Sequence, residues 1–294
     1  MAEAMAETAA MLRTGAAARR LRLGYGFLAL PAVIFLAIFF LVPIASVLAI
    51  SVTDPVPGLQ NYALLFTRDS VQRVILTTLQ ICGITTLVSV AIGYLIAYVL
   101  IHSRPRTRQW MLALVLVPFW TSVLVRSFAW LMLLGDNGPL NQGLIALHLI
   151  DEPLGLVRSR LGVCIGMVHY MIPYAVLPLL AQMRGIDDRV MLAARGLGAR
   201  PGAVFRRIYF PMTLPGVASA TILVFIFSFG FYITPAILGG GKVVMIAEYV
   251  SVQLLQVLAW GVATMMAVTL VAIVLATLLL ASRVVNLREM LEAR

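Results

Sequence analysis

The chain has 294 residues, of which 62% are hydrophobic and 12% are charged, and its formal net charge is +10. Soluble domains carry about 25% charged and about 45–50% apolar residues, so this composition excludes an ordinary soluble globule. It indicates a membrane protein with several helical spans, because one helix needs roughly 20 apolar residues to cross a bilayer.

Six apolar segments are long enough to span a membrane as helices. They are residues 27–50, 74–101, 110–134, 161–181, 212–238 and about 258–282. We therefore predict an all-α integral membrane protein with six transmembrane helices. The second segment carries polar residues that should face protein or a wet cavity, namely Thr77, Thr78, Gln80, Thr85, Thr86 and Ser89.

These spans divide the chain into four parts. Residues 1–26 form an N-terminal segment, and residues 27–73 form the first span with its outer loop. Residues 74–282 form a five-helix core that contains the long inner loop 182–211, and residues 283–294 form a tail. A stretch at residues 144–150 in the second outer loop is predicted to be a short interfacial helix, with an ordinary loop as the alternative.

The basic residues are distributed unevenly between the two sides. Four segments share one side when six spans alternate, and they hold 16 of the 22 Lys and Arg residues: 1–26, 102–109, 182–211 and 283–294. The opposite loops hold 5. Because cytoplasmic loops are enriched in Lys and Arg, both termini are predicted to be cytoplasmic. The net charge is thus a topology signal, and no nucleic-acid partner is expected.

The sequence contains no pattern typical of an enzyme or of a metal site. The three histidines lie in different segments, and Cys82 and Cys164 both fall inside spans, where a small apolar role is expected. No acidic residue lies in the body of any predicted span, whereas proton-coupled carriers usually place such groups along their pathway. An ion-coupled secondary transporter is therefore a distant alternative.

The longest inner loop, residues 182–211, is predicted to form two short helices with a break between them. Asp187 or Asp188 can cap the first helix, Gly198 can end it in a left-handed conformation, and Pro201 can begin the second. Ala194 and Gly198 are four residues apart and are predicted to share a face without bulk, which a partner protein can approach closely. The alternative is a solvated basic loop.

This loop resembles the signature loop of permease subunits in type I binding-protein-dependent ABC importers. The family pattern is Glu-Ala-Ala, three residues, Gly, nine residues, and then Ile-x-Leu-Pro. The chain has Ala193, Ala194, Gly198, Ile208 and Pro211 at those spacings, with Leu192 in place of Glu and Phe210 in place of Leu. In the family this loop is a coupling helix that docks on the ATPase subunit. The resemblance implies ATPase coupling by Leu192, Ala193, Ala194, Arg195, Gly198, Ala199 and Pro201.

Other stretches resemble the spermidine/putrescine branch of these permeases, including LVPFWTSVLVRSFAWLMLL and SFGFYITPAILGG. The resemblance implies a subunit of the bacterial inner membrane that forms half of the pathway for a small polar solute. A polyamine is favoured, and an amino acid, opine, phosphonate or similar solute is the alternative.

The resemblance also implies the partners. They are an ATPase dimer that binds ATP and Mg²⁺, a second homologous and different permease, a periplasmic binding protein and membrane lipid. The chain itself would catalyse no reaction and bind no cofactor.

The solute pathway is expected between the two permeases near the middle of the membrane. Candidate residues are polar or aromatic side chains of the third and fifth spans: Trp120, Thr121, Ser122, Arg126, Tyr232 and Thr234. Helix packing is the alternative for each of them, and snorkelling to the outer interface is a further alternative for Arg126. A polycation prefers carboxylates and aromatic faces, and this chain offers Asp136 and Glu248 near the outer ends of its spans.

Overall fold

A computed structural model describes residues 30–284. Within that range the chain forms helices and no β-strand. The predicted N-terminal segment 1–26, the start of the first span at 27–29 and the tail from residue 285 lie outside the described residues. The helices are α1 (Leu30–Thr53), α2 (Gln60–Thr67), α3 (Asp69–His102), α4 (Pro105–Trp120), α5 (Val123–Leu134), α6 (Pro139–Ala146), α7 (Arg160–Arg184), α8 (Asp188–Gly196), α9 (Pro201–Phe229), α10 (Ile233–Gly239), α11 (Ile246–Val252) and α12 (Trp260–Val284).

Six spans can be assigned to these helices. Five helices, α1, α3, α7, α9 and α12, are each long and apolar enough to cross a membrane. A sharply bent pair, Pro105–Trp120 with Val123–Ala146, supplies the sixth span. The predicted all-α fold with six transmembrane helices is therefore confirmed, and the first, second, fourth and sixth spans lie close to their predicted bounds.

The third span is not the continuous helix that was predicted at residues 110–134. It begins at Pro105, stops at Trp120 and resumes at Val123, and the two parts are bent by 101°. Pro118 lies inside the last turn of α4, where it cannot donate a backbone hydrogen bond. Thr121 then takes an extended conformation. Hydropathy averaged along the chain does not detect such a break.

The fifth span also differs from the prediction of residues 212–238. α9 begins at Pro201, inside the predicted inner loop, and passes through a π-helical turn at Phe205–Tyr209 before it ends at Phe229. The π-helical turn comes just before Pro211, which cannot make a regular helical hydrogen bond. The second short helix expected in the inner loop is therefore the first part of a long span. Residues 233–239 form the separate helix α10.

The polar residues of α3 mostly lie where the sequence predicts. The buried ones are Thr77, Thr78, Thr85, Thr86 and Ser89. The hydroxyl of Thr78 accepts a hydrogen bond of 2.9 Å from the backbone amide of Ile246. Gln80 is the exception, because it is exposed and accepts a hydrogen bond of 2.8 Å from Arg160 Nη1.

Short helices and loops meet at one end of the bundle. Asn61 Nδ2 donates to the backbone carbonyl of Asp54 at 2.7 Å, and the Asp54 carboxylate accepts from the backbone amide of Gly261 at 2.7 Å. The backbone amide of Arg158 donates to the carbonyl of Leu238, also at 2.7 Å. The first two contacts join α1, α2 and α12, and the third joins the loop before α7 to α10. The prediction of a short helix at residues 144–150 is mostly wrong, because α6 ends at Ala146 and residues 147–150 are not helical.

The membrane helices α3 and α7 are in close contact at Gly93. A Cβ atom on Gly93 would lie 2.7 Å from Ala175 Cβ and 3.4 Å from the backbone nitrogen of Val176. We expect Gly93→Val to lower the free energy of unfolding by about 1–3 kcal/mol, because the two helices must separate. Thermal unfolding of the purified protein measures this. Gly83→Val on the same helix is the matched control, since a Cβ there meets nothing within 4 Å. Equal losses in both variants would contradict the packing argument.

Candidate functional site

The inner loop has the local structure that its sequence predicts at the end of α7. Asp187 caps α8, and its carboxylate accepts a hydrogen bond of 2.9 Å from the backbone amide of Arg189. Gly198 is left-handed, with φ of 84°. Pro201 occupies the first turn of α9. The predicted cap, helix end and helix start are all confirmed.

The predicted shared face of Ala194 and Gly198 is wrong. Ala194 is buried against the chain itself, whereas Gly198 is exposed. Residues four apart share a face only inside an α-helix, and α8 ends at Gly196 before the chain turns at Gly198. The outward surface of the loop instead presents apolar side chains among exposed arginines, because Leu192 is exposed and Leu197 is 90% exposed beside Arg195 and Arg200.

The inner loop packs against the ends of two membrane helices. A cavity of about 370 Å³ lies between α3, α8 and α9, and it is lined by Tyr98, His102, Asp188, Met191, Leu192, Arg195, Pro201, Val204, Phe205 and Tyr209. The Tyr98 ring meets the rings of Phe205 and Tyr209 edge-on, with centroids 5.8 Å and 5.6 Å away. Met191 of α8 packs against the buried cluster that contains Leu100 of α3 and Tyr209 of α9, so the three helices share one packing region.

The break in the third span is stabilised by Arg126. This side chain is buried, and Nη2 donates to the carbonyl of Thr121 at 2.9 Å, to the Thr121 hydroxyl at 2.6 Å and to the carbonyl of Pro118. The last carbonyls of a helix have no partner within that helix, so Arg126 satisfies groups that the end of α4 leaves free. Its guanidinium also lies over the ring of Tyr170, 4.9 Å from the centroid.

Arg126 faces a membrane-embedded groove of about 520 Å³ between α4, α5 and α7. His169 and Pro173 also line it, and most of its other lining residues are aliphatic. Trp130 Nε1 donates to His169 Nδ1 at 3.2 Å, so that ring nitrogen is already occupied as an acceptor. The Arg126 contacts with backbone carbonyls and Tyr170 favour a fixed interior position over snorkelling.

A series of aromatic rings continues from Tyr170 along α7 and its neighbours. We call this set the aromatic strip: Phe119, Tyr170, Tyr174, Phe227 and Phe231. Successive ring centroids lie 5.0 Å apart for Phe119 and Tyr174, 5.7 Å for Tyr174 and Tyr170, 4.5 Å for Tyr170 and Phe231, and 4.9 Å for Tyr174 and Phe227. The faces of such rings attract ammonium groups.

The other predicted pathway residues fall into two groups. Thr121, Ser122 and Tyr232 are exposed, and Trp120 is 78% exposed, so all four are accessible on this chain taken alone. Thr234 is buried, and its hydroxyl shares a hydrogen bond of 2.9 Å with that of Ser127. This arrangement favours the helix-packing alternative for Thr234.

Two features of the site were missed in the sequence. The spacing of Tyr170 and Tyr174 places both rings on one face of α7, and that spacing was available as a signal. The contact between Arg126 and Tyr170 joins residues that are far apart in the chain, and no local pattern predicts it.

Comparisons with known proteins agree with this architecture. Residues 89–294 match the family described as the binding-protein-dependent transport system inner membrane component. The spermidine/putrescine transport system permease protein PotB of Haemophilus influenzae is 32% identical over 235 residues, which cover 76% of this chain and 82% of that protein. PotB of Escherichia coli K12 is 32% identical over 240 residues, 78% of this chain and 87% of that protein.

Solved structures share the fold. A bacterial ABC transporter involved in the import of the acidic polysaccharide alginate has a chain that matches with a TM-score of 0.70 at 19% identity, covering 90% of this chain and 96% of that chain. The MetNI methionine ABC transporter matches with a TM-score of 0.54 at 17% identity, over 73% of this chain and 94% of that chain. The chain therefore belongs to the family of binding-protein-dependent transport system inner membrane components.

Proposed function

We propose that the chain forms half of the translocation pathway of an ATP-driven importer of polyamines, with spermidine and putrescine as the favoured solutes. The observation that carries this proposal is the similarity to PotB proteins over most of both chains. The aromatic strip supports it, because Phe119 and Phe227 at its margins are exposed and the faces of such rings attract ammonium groups.

Arg126 does not argue against a cationic solute. Its Nη2 donates only to acceptors at the end of α4, and the negative end of that helix dipole lies beside it. Tyr170 covers one face of the guanidinium. Its charge is therefore partly compensated within the chain, and we assign Arg126 to holding the break in the third span. Thr121 and Ser122 at that break, with Trp120 and Tyr232, are our proposed contacts for solute.

The inner loop is our proposed docking site for the ATPase. An aqueous loop that exposes Leu192 and Leu197 fits a surface that a partner covers. Ala193 and Arg195 lie on the exposed part of α8, and Ala199 and Pro201 shape the following turn. Buried Ala194 would act by seating α8 against the chain. ATP and Mg²⁺ would be bound by that ATPase, and this chain would bind no cofactor and catalyse no reaction.

One inner loop supplies one docking site, so a complete transporter with an ATPase dimer needs a second permease, which we propose to be a different homologous chain. A periplasmic binding protein would deliver the solute on the side opposite the inner loop. In this orientation both termini are cytoplasmic, and the bundle contacts lipid. Closure of the ATPase and binding of the solute-loaded binding protein would shift the same conformational equilibrium of the permeases. ATPase closure must therefore alter the affinity for the binding protein, and the binding protein must alter ATPase closure to the same extent.

Reconstitution tests this function. The chain is co-expressed with its candidate ATPase, second permease and binding protein, and uptake of radiolabelled spermidine and putrescine into proteoliposomes is measured. We expect uptake that requires ATP and the binding protein and that survives an ionophore. Uptake by this chain alone, driven by an ion gradient, would support the secondary-transporter alternative instead. Uptake of an amino acid, opine or phosphonate without polyamine uptake would replace the solute assignment and leave the importer intact.

A further inference from the structure

Glu248 is a buried carboxylate whose hydrogen bonding is incomplete. The residue is 7% exposed, and it is the one buried Asp or Glu among residues 30–284. Within the same residues its Oε2 atom has no hydrogen-bond partner. A buried polar atom normally has a partner in a folded protein, so an unpartnered carboxylate oxygen needs an explanation.

The position of Glu248 in the first turn of α11 provides a hydrogen-bond partner for only one of its carboxylate oxygens. Met245 is the N-cap residue of α11, and its backbone amide stabilises the charged form of the Glu248 carboxylate, as a glutamate in a capping box does. Burial has the larger and opposite effect, and it raises the pKa of Glu248. A helix-capping role requires one carboxylate oxygen and does not require the other to be buried without a partner.

The surroundings of Glu248 connect it to the proposed pathway. Ser251 follows Glu248 by three residues, so the two side chains lie on neighbouring positions of one face of the helical segment. The Ser251 hydroxyl donates to the Tyr232 hydroxyl at 3.5 Å. Tyr232 follows Phe231, whose ring lies 4.5 Å from that of Tyr170 in the aromatic strip. Phe231 also packs against the buried cluster that contains Ile246 and Tyr249 of α11, so α11 lies near one end of the strip.

We propose that Glu248 binds an ammonium group of the solute where the aromatic strip meets α11. This inference rests on the proposed function, and it adds the anionic contact that a polycation requires. The carboxylate is covered in the conformation described here, so the ammonium group would reach it when the helices around α11 separate during transport. An ammonium ion supplies donors for Oε2 and compensates the buried charge.

The experiment uses the assembled complex in proteoliposomes with saturating spermidine-loaded or putrescine-loaded binding protein. Glu248→Gln keeps the side-chain shape and removes the charge. We expect it to lower the spermidine transport rate about tenfold, the effect of losing one charge-assisted hydrogen bond. The ratio of spermidine to putrescine transport should also change. Glu152→Gln, at an exposed outer carboxylate, is the matched control and should stay within twofold of wild type.

The possible outcomes distinguish this inference from the proposed function. If the wild-type complex transports spermidine and the Glu248→Gln complex transports it at the same rate, this inference alone is overturned. A wild-type complex that imports neither polyamine would overturn the proposed solute, and this inference with it. If Glu248→Gln reduces assembly, Glu248→Asp becomes the test, because it retains the charge. Recovery of both assembly and transport in Glu248→Asp supports the site, and equal impairment of the two variants contradicts it.

Discussion

Gly198→Val is expected to reduce ATP-coupled import at least tenfold while leaving the membrane bundle folded. Gly198 has φ of 84°, and its backbone amide donates to the carbonyl of Arg195 at 2.9 Å to end α8. A residue with a Cβ pays about 1–2 kcal/mol in a left-handed conformation, which shifts a two-state population about 5–30-fold. A β-branched side chain is disfavoured most strongly there. The turn should open and displace Leu197 from its exposed position.

Two variants separate the effect of the backbone conformation at residue 198 from the effect of side-chain size. Spermidine uptake, ATP hydrolysis stimulated by the loaded binding protein, and the amount of co-purified ATPase are determined for each variant. Gly198→Asn is the matched control, since asparagine has a similar volume to valine but tolerates positive φ. A Cβ at this position meets nothing within 4 Å in this chain, so neither side chain clashes internally. We expect coupling to be retained with asparagine and lost with valine. Normal uptake in Gly198→Val would remove the inner loop from the coupling mechanism.

Most of the fold was predictable because it follows from composition and local chemistry. Apolar length alone identifies a helix that crosses a bilayer, and four of the five unbroken spans lie close to their predicted bounds. The cap at Asp187, the left-handed Gly198 and the start at Pro201 were also predictable, because each depends on one residue type at one position of a helix end.

The parts of the site that could not be predicted depend on tertiary contacts. A proline such as Pro118 can break a helix, but the hydrogen bonds from Arg126 to the carbonyls beside the 101° bend depend on tertiary structure. The error at Ala194 arose because the helical spacing was extended past the end of α8. The burial of Glu248 depends on helices distant in sequence, and its sequence context shows only a glutamate in an outer loop.

Arg126→Met is expected to have the largest effect on stability in the membrane-embedded part of the chain. The carbonyls of Pro118 and Thr121 would lose the charged donor that the buried guanidinium supplies. Hydrogen bonds to charged groups contribute about 1.5–3 kcal/mol each, so we expect a loss of about 3 kcal/mol in unfolding free energy. Polyamine uptake should fall with it, because the bend that places Trp120 and Thr121 would no longer be fixed.

Arg126→Lys distinguishes this role from snorkelling. Lysine has a flexible ammonium group without the planar fork of arginine, so it should recover only part of the stability and uptake. A snorkelling role depends on charge and reach, and under it lysine would replace arginine fully. Arg160→Met, which removes an exposed arginine that donates to Gln80, is the control and should change the unfolding free energy by less than about 0.5 kcal/mol. Thermal unfolding of the reconstituted complex ranks the stabilities of these three variants. Full stability and activity of Arg126→Met would show that the break in the third span keeps its shape without the guanidinium.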